Sequence, residues 1–161
     1  MSFKEPSNKY PSEKSIQKEA LEGIDKEIYT LHRYFIWADR MRLHFDQVLR
    51  AKLTAPGSKR GFSIEEFLYM SYWYSGMYVL IEGWRDMELS DPEIDNLLDS
   101  PNVDLLRRYR NGTFHFQRRY FDERFLAFMK DGKNTVQWIR ELRSQFSRFF
   151  LDWLRAKKLI K

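Results

Sequence analysis

The sequence predicts an all-α fold, a bundle of four main helices with one or two short ones. Three observations predict it. Apolar residues recur at three- and four-residue steps over long stretches, cap and stop signals bracket those stretches, and no segment shows the period-2 alternation of a half-buried strand. There is no internal repeat. At 161 residues the chain suits one domain and is long enough to bury a core.

Residues 1–20 are polar and charged, with Phe3, Tyr10 and Ile16 as their large apolar groups. They are expected to form a mobile arm ahead of a single helical domain over 21–161. They do not read as a signal peptide, so a cytoplasmic protein is the expectation. Ile24, Ile28, Leu31, Phe35, Ala38, Met41, Phe45 and Val48 then mark one amphipathic helix over about 22–53. Thr54-Ala55-Pro56-Gly57-Ser58 ends it.

Ser63 and Glu66 have the spacing of a capping box, and Phe62 and Phe67 that of a hydrophobic staple. The helix they open should reach about Met87. Phe67, Met70, Tyr74, Met77, Ile81 and Trp84 form one stripe, and Tyr69, Tyr72, Trp73, Val79 and Leu80 cover much of the rest. A helix apolar nearly all round is either central in its bundle or meets a second subunit. Ser71, Ser75 and Gly76 allow close approach of a neighbour. Residues 67–84 are barely long enough for a membrane span, and Glu82 and the tyrosines argue against one.

Asp91-Pro92 and Ser100-Pro101 each read as an N-cap followed by proline. They bracket a short helix over 92–98 and open a longer one from 101. Asp122 caps a second short helix, 123–130, and Asp131-Gly132 is a turn. The last helix, about 134–158, carries Val136, Ile139, Leu142, Phe146, Phe149 and Trp153 at helical spacing.

With no cysteine, disulfides and thiolate metal sites are excluded. His32, His44 and His115 show no metal-ligand clustering with carboxylates, so no structural metal or cofactor is expected. The net charge of +5 is uneven: residues 101–161 hold 15 Lys and Arg against 6 Asp and Glu. A basic half favours an RNA or DNA partner, although a merely solvated basic face has the same composition.

Within that half lies Arg108-Tyr109-Arg110-Asn111-Gly112-Thr113-Phe114-His115. For this composition, an Arg followed by Asn and, five places on, by His arises by chance roughly 0.01 times, which makes it worth pursuing. Arginine holds a phosphate through a planar fork of donors, and histidine moves protons near neutral pH. On a regular helix Arg110 and His115 lie about 140° apart, whereas Asn111 and His115 share a face. The expectation is a distortion at Gly112, an Arg110 that reaches round the helix, or convergence of two copies across a two-fold axis. His115 would be the acid or base, Arg110 would bind the scissile phosphate, and Asn111 would orient the histidine or donate to the phosphate. Arg107, Arg108, Arg118 and Arg119 would hold neighbouring phosphates. Glu82, the lone charge between Phe67 and Trp84, either fixes Arg110 or Arg107 by an ion pair or simply reaches solvent.

Arg110-Asn111-Gly112-Thr113-Phe114-His115 resembles the Arg-x4–6-His motif of the HEPN superfamily, whose arginine is often followed by asparagine. The aromatic helix ending Ile81-Glu82-Gly83-Trp84, the short Asp-Pro helix and Leu105-Leu106-Arg107-Arg108-Tyr109 are similar in arrangement. The resemblance spans about residues 24–155, and only the six-residue motif within it is specific. It implies a helical homodimer and a metal-independent endoribonuclease, with sites formed where two motifs meet, in a toxin–antitoxin or defence setting. An antitoxin or other partner would then be a separate chain. The alternative is a catalytically silent helical dimer that binds RNA or a protein.

Overall fold

The computed structural model describes residues 26–55, 61, 63–132 and 134–160. The fold is all-helical over those residues. Four long helices, α1 (Lys26–Thr54), α2 (Ile64–Asp86), α4 (Asn102–Phe114) and α6 (Thr135–Ala156), are joined by two short ones, α3 (Pro92–Leu98) and α5 (Glu123–Lys130). The arm expected over 1–20, the first residues of the expected first helix, and Phe62 of the expected staple lie outside the described residues. No helix among the described residues is long and apolar enough to cross a membrane.

The start of α2 is fixed as its sequence requires. Ser63 Oγ accepts the Glu66 N–H at 3.1 Å, and the Glu66 carboxylate accepts the Ser63 N–H. Glu66 does more than cap, because it is fully buried and also accepts from Lys52 Nζ of α1 at 2.8 Å. Burial pushes its carboxyl up, and the Lys52 and Ser63 hydrogen bonds pull it further down, leaving it below the ordinary glutamate value.

Helix α2 is the centre of the bundle. Trp73, Tyr74, Met77, Leu80, Ile81 and Trp84 are almost wholly buried. One flank packs on α1, where a Cβ added at Gly76 would come within 2.8 Å of Ala38 Cβ and one at Gly83 within 2.6 Å of a Leu31 methyl. The other flank meets α4 through Tyr74 and Tyr109, whose ring centres are 5.5 Å apart. Its two-sided apolar character is therefore mostly absorbed within one chain.

Helix α3 is pinned between α2 and α6. Trp84 Nε1 donates to Asp95 Oδ1 at 3.1 Å, and Trp138 Nε1 donates to the Leu97 carbonyl at 3.0 Å. Asp91 is its N-cap, as expected. At α4 the start shifts by one residue. Pro101 is the N-cap and Ser100 Oγ accepts the Asn102 N–H at 3.2 Å. On α6 the expected stripe needs correction. Val136 is half exposed, whereas Trp138 and Phe150 join Ile139, Leu142 and Phe146 inside. Tryptophan reaches the core from the stripe's edge, where its N–H finds the Leu97 carbonyl.

Candidate functional site

Tyr109 sets the orientation of α4. It is fully buried, with its hydroxyl 3.1 Å from Ser71 Oγ and its ring 5.1 Å from that of Phe125. Burial pushes its phenol above the usual tyrosine range, so it acts as an anchor rather than a proton carrier. Along the same interface Arg110 meets Tyr78 and Glu82 while Phe114 meets Tyr72, so α2 and α4 run antiparallel.

Arg110 is held from two sides. Its Nη2 donates to Glu82 Oε2 at 3.1 Å and its Nη1 to Asn111 Oδ1 at 3.0 Å. The guanidinium lies 5.9 Å from the centre of the Tyr78 ring. Burial, then the Glu82 charge, raises the Tyr78 phenol. The Arg110 and Glu82 side chains are 30% and 38% exposed, so the pair stays open to a ligand. Of the two readings of Glu82, the ion pair to Arg110 is the one observed. Arg107 instead pairs with Asp104 at 2.6 Å.

The distortion expected at Gly112 is not there, because α4 runs unbroken to Phe114. Gly112 is glycine for another reason. A Cβ would sit 3.2 Å from the Phe125 ring and 3.3 Å from Arg124 Cβ, so α5 is seated against bare backbone. His115 is the C-cap, extended at φ −112° and ψ 132°, with its N–H donating to the Asn111 carbonyl at 3.1 Å. Its imidazole is exposed and has no hydrogen-bond or ring partner among the described residues. Asn111 therefore positions His115 through its backbone, while its side chain turns to Arg110. No hydrogen bond joins Arg110 to His115, and Arg110 reaches toward α2 rather than round α4 to the histidine.

One residue beyond His115 a groove of about 480 Å³ opens between the end of α4 and the start of α5. Arg108, Arg118, Arg119 and Arg124 line it, with Phe116 and Gln117 on its wall and Asp122 and Glu123 as its acids. Arg124 lies 3.6 Å from Asp122. Arg108, Arg118 and Arg119 are exposed and have no ion pair among the described residues. This sets them apart from other arginines of the basic half. Arg140 pairs with Asp46, Arg143 with Asp39 and Arg148 with Asp91, each within 2.7 Å. The sequence asymmetry in charge is thus partly consumed inside the bundle, and the groove keeps a free share.

Arg124 and the aromatics of the α4–α5 connection are site candidates that the motif alone does not single out. The signal was the interleaving itself, Phe114-His115-Phe116-Gln117-Arg118-Arg119-Tyr120-Phe121. No family model matches the chain, and no curated protein or solved structure is significantly similar to it. The chemistry of these side chains is therefore the guide to function.

Proposed function

We propose that this protein is a metal-independent endoribonuclease, HEPN-like in its motif, acting as a cytoplasmic homodimer in a toxin or defence setting. The observation that carries the reading is the end of α4. A guanidinium oriented by Glu82 and Asn111, an exposed imidazole and three arginines, the last four without a partner among the described residues, lie within one short stretch of chain. These groups supply phosphate binding, proton transfer and backbone affinity, the three needs of RNA transesterification.

In that reaction the RNA 2′-hydroxyl loses its proton, O2′ bonds to phosphorus, and the P–O5′ bond breaks as a proton reaches O5′. His115 takes the first proton or gives the second. Arg110 stabilises the charge growing on the non-bridging oxygens. Ile64, Leu68 and Tyr72 form an exposed apolar strip at four-residue steps on α2, continued by Phe114 beside His115. Two copies meeting over that strip would bring the ends of their α4 helices together. A stable interface buries roughly 1,200–2,000 Å², so sedimentation should show a dimer at tens of micromolar.

A second reading has its own support. Arg110 is tied to Glu82 and Asn111 rather than to His115, which also suits a silent dimer that binds RNA or a separate protein such as an antitoxin. Cleavage of RNA by the pure dimer in EDTA separates the two. His115→Ala and Arg110→Ala should each lower the rate at least about 100-fold with the fold intact. Binding without cutting under any condition would establish the silent module instead.

A further inference from the structure

The connection between α4 and α5, residues 115–122, holds the most exposed large aromatics among the described residues. Phe116 is 93% exposed, Tyr120 73% and Phe121 72%. The core explains none of them. Phe116 meets no other ring among the described residues, and Tyr120 and Phe121 meet only each other, at 4.9 Å. Arg118 and Arg119, unpaired, sit between them in the chain, and Phe116 shares its groove with those arginines, Arg108 and Arg124.

Free aromatic faces beside unpaired cations match one ligand chemistry, a flexible polyanion that carries flat rings. The cations track the phosphates and the rings stack on the bases. A second copy of the chain is a poorer occupant. Protein interfaces are depleted of charge at their centre, and two copies of this surface would set arginine against arginine. A duplex is poorer too, because its base faces are already stacked.

We propose that the α4–α5 connection is a stacking platform for unpaired RNA, with Phe116, Tyr120 and Phe121 taking bases and Arg108, Arg118 and Arg119 the phosphates. It rests on the RNA-directed reading above, and it adds that the protein selects single strands through the faces of their bases, at a surface separate from Arg110.

The test uses the full chain and a labelled 2′-O-methyl RNA of about 12 nucleotides, which binds but lacks the attacking hydroxyl. An abasic oligomer with the same number of phosphates is the comparison. Replacing Phe116, Tyr120 and Phe121 together by Ala should weaken the base-bearing strand at least about fivefold and leave the abasic strand unchanged. Phe116→Trp should keep affinity. Arg118→Ala with Arg119→Ala should weaken both strands. A hairpin stem of the same length should bind more weakly than the open strand and ignore the aromatic substitutions. Equal binding of base-bearing and abasic strands by the unaltered protein would overturn the platform while leaving a basic RNA surface in place. So would an aromatic variant that lost both strands alike, or that changed sedimentation instead of affinity. Failure of the unaltered protein to bind either strand would remove the RNA reading itself.

Discussion

Arg110 is gripped by Glu82 across the α2–α4 interface and by Asn111 beside it, and the two grips have different consequences. The Glu82 pair is about one-third exposed, so its worth to the fold is small, about 1 kcal/mol at most. Its worth to the site lies in direction. Glu82→Gln should leave thermal stability within that margin yet lower the cleavage rate about tenfold at saturating RNA, with KM little changed, because Arg110 would no longer be aimed. Equal loss in stability and rate would make Glu82 merely structural. Glu82 was legible in the sequence as a lone charge in an apolar run. The turn of the Asn111 side chain toward Arg110 was not, because it depends on where α2 places Tyr78 and Glu82. Burial of Glu66 was hidden in the same way, since the capping box accounts for it without Lys52. Lys52→Met would leave that buried carboxylate without its cation and should cost about 3–5 kcal/mol by chemical unfolding. Glu66 titrates below its unfolded value. Its contribution is therefore complete above the ordinary glutamate range and is lost as pH falls through the lowered folded value. The Lys52→Met variant should show a shallower acid loss of stability than the unaltered protein.

At the scale of elements, the fold depends on how closely α1 and α2 approach. A Cβ at Gly76 would meet the Cβ and backbone of Ala38, whereas one at Gly83 would displace a Leu31 methyl. Gly76→Val should force the helices apart and destabilise the bundle by about 1–3 kcal/mol or more, read as a lower Tm with helicity retained below it. Unchanged stability would show that the two helices slide freely. Gly76 was readable as a small residue on a crowded helix. The roles of Gly83 and Gly112 were not, because each is defined by a neighbour distant in sequence. Helix spans were readable almost throughout, since caps such as Ser63, Asp91 and Asp122 are local chemistry. Faces were less so. Trp138 enters the core and Val136 does not, because Trp138 lies four residues before Leu142 and eight before Phe146 on the buried face, where the Leu97 carbonyl of α3 takes its indole N–H.

Across the whole molecule, charge separated along the sequence is recombined in space. Asp39 and Asp46 of α1 each accept from Arg42 and from an α6 arginine, Arg143 and Arg140 respectively. Burial raises both aspartates and the arginine hydrogen bonds lower them more, so both titrate below the ordinary range and clamp α1 to α6. Those arginines are not free for RNA. The salt dependence of binding should therefore reflect Arg110 and the groove arginines Arg108, Arg118 and Arg119. With four contacts, log K should fall with log salt at a slope of about −3 for a single strand. Arg108→Ala should flatten the slope by about 0.7. Arg140→Ala should leave the slope alone and lower stability. A slope several-fold steeper would mean that the internal pairs open to bind RNA.

Cleavage at the end of α4 by attack of the RNA's own 2′-hydroxyl would be written in the end groups of the products. A labelled single-stranded RNA incubated with the protein in EDTA should yield a 2′,3′-cyclic phosphate and a 5′-hydroxyl. DNA and 2′-O-methyl RNA should resist, and His115→Ala should abolish the products. Fragments bearing a 5′-phosphate and a 3′-hydroxyl, or cleavage undiminished without His115, would contradict it.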